Sequence, residues 1–505
     1  MANRLTLYFT SDTHGYVYPT DFISPGTLSQ GLLRMPFHKD GNTLIIDGGD
    51  TLQGSPLTYF CRTKGRPMPC ADVMNDLRYD YITLGNHDFN YGYATLQDYL
   101  QRSNAQCLCA NVHDQDGQLP ILSYAVHTLQ NGFRVGLIGI VTHWINLWEK
   151  PENLGSVTVS DTMEAARNAV DALHGQYDVL IGIYHGGFER DVESGKLLSE
   201  TDENIGWRLC EALPFDVLLT GHQHIPMANK VIHGTHIAQT PGNARACVRL
   251  TIDQNGMISS RLCEPDAEPM IKPWDQTLYG DLTQWLDTPI GRLSRALAPE
   301  AKLAMALHGS PIADFINQVQ LEASGAQISC AALSNEVSGF KAKVTVRDVV
   351  SSYPFANTLV VLRVTGQVLK TALEQCATYF KVSDTGKITI GDFFTKPKEA
   401  HYNYDYFAGI AYTFDLRKPI GERVVNLTYQ GSPVTPDNSF SLVMNNYRAT
   451  GAGGFDCYLP CPREKEIQTE VSELILNYLS EHTPIQIPDS NPYTIILPRH
   501  KTLIK

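Results

Sequence analysis

Five times in its first 265 residues this chain writes a short, β-branched apolar run and breaks it at once with Asp, Asn or His. Leu5–Phe9 leads to Asp12 and His14, and Thr43–Ile46 to Asp47 and Asp50. Tyr81–Leu84 leads to Asn86, His87 and Asp88, Val179–Ile183 to His185, and Val217–Leu219 to His222 and His224. Runs this short, apolar throughout rather than alternating, predict strands covered on both faces. Helical stretches separate them. Asp161–Leu173, for example, sets Met163, Ala166, Val170 and Leu173 on one stripe. The pattern predicts an α/β layered domain with its polar residues gathered at one edge of the sheet.

At 505 residues the chain is too long for one core, since domains usually run to roughly 100–200 residues. The character changes around Glu264–Pro289. A turn-rich exit (Glu264-Pro265-Asp266-Ala267-Glu268-Pro269) precedes Trp274–Leu286, which could form a linking helix. A second α/β region follows, with a helix at Ser310–Glu322 and a strand at Thr358–Val364. Strand and turn signals recur at Gly409–Asp415 and Ser439–Met444, before a helix near Glu470–Leu479. The expected organisation is a first domain over residues 1–265, a linker over 266–295 and a second domain over 296–505.

Charge and cysteine usage narrow the function classes. Acidic residues outnumber basic ones by 53 to 40, for a net charge of -13, which argues against a groove wrapping nucleic acid phosphates. No run approaches the roughly 18 apolar residues that cross a bilayer, so no membrane partner is expected. Met1–Arg4 enters the first strand directly, with no secretory leader, and reads as a cytoplasmic start. The 11 cysteines are odd in number and scattered, which suits buried thiols rather than a disulfide framework. The close pairs Cys107/Cys109 and Cys457/Cys461 lack the second half of a zinc site. Oligomeric state is not legible.

The strand-end residues collect into a constellation: Asp12, His14, Asp50, Asn86, His185, His222 and His224. Carboxylates, an amide and imidazoles together suit a divalent metal of intermediate hardness, among which Mn, Zn, Co and Mg are not discriminated. Seven donors exceed one tetrahedral ion. They suit two ions sharing a bridging carboxylate, an arrangement that clamps a phosphoryl group and activates a water. Glycines beside them (Gly48, Gly49, Gly186, Gly187, Gly221) would let the backbone turn sharply. Any one motif is weak: Asp-x-His after a strand is usually an N-cap or a surface pair, and a single histidine usually a structural one. Their joint occurrence in order reverses that.

Asp-x-His, Gly-Gly-Asp, Gly-Asn-His-Asp and Gly-His-x-His in this order resemble the calcineurin-like metallophosphoesterases. With the second half, the chain resembles the two-domain 5′-nucleotidase family, which includes 2′,3′-cyclic-nucleotide 2′-phosphodiesterase/3′-nucleotidases. The resemblance implies an N-terminal metallophosphoesterase β-sandwich flanked by helices, a helical linker and a C-terminal α/β substrate domain. It implies that Asp12, His14, Asp50 and His224 hold one ion. Asp50, Asn86, His185 and His222 would hold the other, with Asp50 bridging. His87 matches the family histidine that stabilises charge near the phosphate. In the 5′-nucleotidase branch a carboxylate follows three residues later and pairs with that histidine. Asn90 stands here instead, in an Asn90-Tyr91-Gly92 ending similar to the cyclic phosphodiesterase branch, as is Asp50-Thr51-Leu52-Gln53-Gly54-Ser55-Pro56.

Aromatics in the second half concentrate in Tyr402–Phe407 and, beside a glycine-rich run, in Asn445–Phe455. From composition alone they could simply cover a core. Aromatics on loops also suit a flat base, and glycines suit close backbone approach. The resemblance implies that Tyr404 and Tyr447 sandwich the nucleobase and places Asn357 near it. The arginine-bearing Gly-Gly-Gly-Ile-Arg block of the 5′-nucleotidase branch has no counterpart; Ser334–Phe340 stands there. A base held by one domain and metals by the other implies a cleft with hinge motion. The expected partner is a small nucleotide, and the expected chemistry hydrolysis of 2′,3′-cyclic and 3′-nucleotides. Alternatives are a 5′-nucleotidase or nucleotide-sugar hydrolase, a non-catalytic nucleotide sensor and, least in keeping with the acidic charge, a nuclease.

Overall fold

Each of the five apolar runs forms a strand, and each is almost wholly buried. The computed structural model describes residues 4–22, 26–198, 202–266, 276–355, 357–396, 398–467, 469–487 and 493–498. The chain divides into two compact units, Met1–Leu282 and Thr283–Lys505.

The first unit is a sandwich of two mixed sheets. In one, Leu5–Thr10, Thr43–Asp47, Tyr81–Ile82, Gln106–Leu108 and Ile121–Leu122 run parallel. The antiparallel hairpin of Cys247–Ile252 and Ile258–Cys263 extends that sheet beside Leu5–Thr10. In the other, Arg134–Val141, Val179–His185, Val217–Thr220 and Thr235–Gln239 run parallel between two antiparallel edge strands. Leu7, Phe9, Ile46, Leu137, Ile181, Leu219 and Leu250 meet between the sheets in one core. The helix predicted from Asp161 spans Thr162–Leu173, and the Asp161 carboxylate caps it by accepting the Glu164 N–H. It buries Ala166, Val170 and Leu173 on the outer face of the second sheet, while Met163 is half-buried.

The second unit is built on a five-stranded sheet ordered Asp405–Ala408, Ile328–Ala332, Ser439–Asn445, Leu359–Thr365 and Arg463–Ile467. Helices Pro311–Ser324, Gly366–Ala377 and Val471–Glu481 pack on it around one core. Ser310, expected inside the first of these helices, is its N-cap: its hydroxyl accepts the Ala313 N–H, and Pro311 takes the first turn, where no N–H is needed. The helix expected near the linker spans Gln276–Leu286; Ala267–Pro269 and Trp274 lie outside the described residues. Among the described residues no helix is long and apolar enough to cross a membrane.

Candidate metal centre

The seven sequence-predicted ligands all lie just beyond, or at the last residue of, the carboxyl ends of parallel strands, and the structure brings them together. Asp12, His14 and His224 form one group and Asp50, His185 and His222 another. Within the first, His14 Nε2 and His224 Nε2 are 3.1 Å apart, and His224 Nε2 is 3.2 Å from Asp12 Oδ1. Within the second, His185 Nε2 is 3.1 Å from Asp50 Oδ2. Asn86 joins it, its Oδ1 lying 2.9 Å from His222 Nδ1. The groups adjoin, since His185 Nε2 is also 4.0 Å from Asp12 Oδ1.

Sharp turns after each strand aim these side chains, although the strain sits elsewhere than the glycines predict. Asp12, His14, Asp50, His222 and His224 themselves adopt left-handed backbone, with φ of 57°, 50°, 56°, 67° and 55°. Of the five flanking glycines only Gly49 does so. The others matter through the missing side chain: a Cβ on Gly221 would collide with the Asp12 carboxylate and the Ser11 hydroxyl. Left-handed backbone at non-glycine residues is costly and clusters where function requires it.

Tautomers and charges suit a cation. His14 Nδ1 lies 2.7 Å from the Gln53 carbonyl and His185 Nδ1 2.7 Å from that of Gly48. A carbonyl only accepts, so both rings carry hydrogen on Nδ1 and present Nε2 to the donor cluster, His14 beside His224 and His185 beside Asp50, whose charge, against burial, pushes the His185 imidazole up to about 10. Burial pushes His14 down to about 4, leaving its lone pair available at neutral pH. Burial also opposes ionisation of Asp50, yet His185 and His87 outweigh it and hold that carboxyl well below the usual range. Among the described residues Asp12 Oδ2 and His185 Nε2 are buried without a hydrogen-bond partner. Two orphaned donors in a knot of carboxylates and imidazoles are what divalent-metal ligands look like before the ion. The donor set fits.

Asp88, read only as part of a motif, holds the loops in register. Its carboxylate accepts the backbone N–H groups of Asp50, Thr51, Leu52 and Gly85 at 2.8–2.9 Å. Burial, with the Asp50 charge, still pushes it up to about 6. His87 is half-buried, its ring 5.4 Å from that of His14, and its backbone N–H donates to Asp50 Oδ1 at 2.7 Å.

Two carboxylates in this neighbourhood escape sequence reasoning. Glu203 Oε1 is 2.9 Å from His222 Nε2 and fixes the ring whose Nδ1 faces Asn86, while the Trp148 indole stacks on that ring at 5.6 Å. Glu149 accepts from Asn90 Nδ2 at 2.5 Å and from Asn153 Nδ2 at 2.8 Å. A carboxylate cannot donate, so the Asn90 amide must turn its NH2 to Glu149 and its oxygen to His87, 2.7 Å from Nδ1. The absent family carboxylate is thus replaced by an amide that a second carboxylate orients. Glu149→Gln, able to donate or accept, frees the amide to flip. We expect kcat to fall roughly tenfold with KM nearly constant in steady-state assays; a change in KM alone would refute this role.

In the second unit the structure corrects one prediction. Tyr404 is buried, packed against Tyr379, Phe380 and Tyr406 in the core, so its ring has no face to offer a base. The one-turn helix His401–Asn403 precedes it and leaves Tyr402 half-buried beside Phe355, their rings 6.4 Å apart. Tyr447 is half-buried on the turn Asn446–Ala449, and Asn357 is half-buried, its Nδ2 3.5 Å from the Tyr353 hydroxyl.

Comparison with known proteins agrees with this architecture. The profile for the calcineurin-like phosphoesterase family matches residues 5–226, and that for the 5′-nucleotidase C-terminal domain matches residues 289–459. A Staphylococcus aureus protein of solved structure, assigned as a 5′-nucleotidase, is 34% identical with a TM-score of 0.89. The match covers 97% of this chain and 99% of that one. A Haemophilus influenzae 2′,3′-cyclic-nucleotide 2′-phosphodiesterase/3′-nucleotidase is 25% identical over 88% of this chain and 80% of its own length. A Vibrio cholerae 5′-nucleotidase is 21% identical over 96% of this chain and 91% of its own. With strand-end ligands meeting as one donor cluster and both halves matched, the chain belongs to the two-domain 5′-nucleotidase family of calcineurin-like, divalent-metal-dependent phosphoesterases.

Proposed function

We propose that this chain hydrolyses 2′,3′-cyclic nucleotides to 3′-nucleotides and these to nucleosides, using two ions drawn from Mn, Zn, Co or Mg. The observation that carries this reading is His87 held by the amide of Asn90, within the Asn-Tyr-Gly ending similar to the cyclic phosphodiesterase branch. The Haemophilus relative supports it. Asp12, His14, Asp50 and His224 would hold one ion and Asp50, Asn86, His185 and His222 the other. When bound, the ions neutralise phosphate charge and lower the pKa of a water.

The chain's own residues do the rest. His87 keeps hydrogen on Nδ1 for Asn90, so Nε2 is the atom that passes a proton to the departing 2′ or 3′ oxygen. Its backbone tie to Asp50 sets the distance between proton donor and donor cluster. Tyr447 and Asn357 remain the base contacts, with Tyr402 replacing Tyr404 as the second aromatic. We place the protein in the cytoplasm, where its eleven free thiols would stay reduced.

The 34% identity to a protein assigned as a 5′-nucleotidase favours a second reading, hydrolysis of 5′-nucleotides. Purified protein with added Mn, given 2′,3′-cAMP, 3′-AMP, 5′-AMP and UDP-glucose in parallel, separates them by chromatography of products. Adenosine from the first two, with 5′-AMP left intact, is the expected result. Preferential loss of 5′-AMP would establish the second reading.

A further inference from the structure

The hairpin at the edge of the first sheet sets Cys247 and Cys263 directly opposite each other. Opposite residues in an antiparallel ladder lie about 4.5 or 5.5 Å apart at Cα. Both separations fall within the roughly 4.4–6.8 Å that a disulfide spans. Directly opposite residues share a face of the sheet, so the two thiols are cross-strand neighbours. Cys247 is fully buried and Cys263 partly exposed.

The surroundings of Cys263 are electropositive. Two residues along each strand, on the same face, Arg249 and Arg261 also stand opposite each other. Like charges in that relation destabilise a sheet, and neither guanidinium has an ion-pair partner among the described residues. Arg249, Arg261 and Cys263 open into a groove of about 660 Å³, together with His38, Asp40 and Glu264. Asp40 is already engaged by Thr43 and the Asn42 N–H. The neighbouring Cys247 thiol first, and the two arginines against partial burial, hold the Cys263 thiol down to about 6. The Cys263 thiol beside it, with burial, keeps Cys247 a protonated thiol.

We propose that Cys263 is a peroxide-reactive thiol with Cys247 as its resolving partner, making this groove a reversible oxidation site unrelated to the metal centre. The Cys263 thiolate attacks a hydroperoxide oxygen; the O–O bond breaks, the alcohol or water leaves with a proton from solvent, and Cys263 becomes a sulfenic acid. The Cys247 thiol then forms the S–S bond, and the sulfenic oxygen departs as water. Two thiols are oxidised for each hydroperoxide reduced. Any external dithiol reverses the step by exchange. An accessible thiolate next to a resolving thiol is the environment in which such chemistry occurs.

The test uses the full chain with near-stoichiometric hydrogen peroxide, followed by alkylation and peptide mapping. We expect a Cys247–Cys263 disulfide, two fewer alkylatable thiols, full reversal by dithiothreitol, and oxidation at least about tenfold faster than at the buried thiols. Cys247→Ser should stop at a sulfenic acid that dimedone traps on Cys263, and Cys263→Ser should abolish the rapid phase. Cys263 reacting no faster than the other thiols, or a disulfide forming between other cysteines, in the unmodified chain overturns the proposal whether or not either variant folds.

Discussion

Asp50→Asn should strip the protein of phosphoesterase activity while leaving it folded. The two side chains have the same shape, and asparagine is among the residues that tolerate the left-handed backbone, φ 56°, found at this position. An amide oxygen can still accept the His87 N–H that Asp50 Oδ1 accepts at 2.7 Å. What is lost is the negative charge lying 3.1 Å from His185 Nε2 between the two donor groups. Substitutions one shell further out in metal sites already cost roughly 10–100-fold, so a fall of at least about 100-fold in kcat/KM is expected. Metal analysis should show the content dropping from about two ions per chain, with a thermal midpoint of the metal-free protein close to that of the unmodified chain. Undiminished metal content and activity would remove Asp50 from the bridging role.

The second large effect lies in the other unit and concerns stability. Arg448 is 1% exposed, and its guanidinium holds Asp405 through both carboxylate oxygens, at 2.8 and 3.2 Å. It also donates to the carbonyls of Tyr402 and Ala452 and lies 4.2 Å over the Phe455 ring. One cation therefore ties the Tyr402–Asp405 segment to the glycine-rich loop after Tyr447. Burial raises the Asp405 carboxyl, and Arg448 is what opposes that. Arg448→Met should cost roughly 3–5 kcal/mol, because it strands a buried carboxylate. Calorimetry should show one transition moving down by roughly 10 °C. Adding Asp405→Leu should restore much of the loss, since two apolar residues in place of a buried ion pair are often neutral. No recovery in the double variant would mean that the carbonyl contacts, rather than the stranded charge, account for the loss.

How much of this could be read from residues alone depends on where each signal lives. The sandwich was legible because parallel strands covered on both faces, such as Val179–His185, are apolar without interruption. The clustered donor residues were legible because each follows its strand within a few residues. Glu149 and Glu203 were not, since each reaches its histidine neighbourhood from a separate loop and carries no local pattern. The Tyr402/Tyr404 exchange has another cause. Alternation assigns faces only inside a strand, and here the strand begins at Asp405, after a helical turn that breaks the parity. Arg448 was hidden in a glycine-rich run that reads as loop, although it is among the most deeply buried side chains in the chain.

Left-handed backbone at five donor residues bears on how such a protein can evolve. Each position costs about 1 kcal/mol or more relative to glycine. Together they hold on the order of 5 kcal/mol, comparable to the lower end of a domain's whole net stability of about 5–15 kcal/mol. Populations propagated under heat stress alone, with no demand for catalysis, should therefore accumulate glycine at His14, His222 and His224 before other ligand positions change. These donor residues would be the first thing such lineages discard, and the heat resistance gained would measure what the candidate site withholds from the fold.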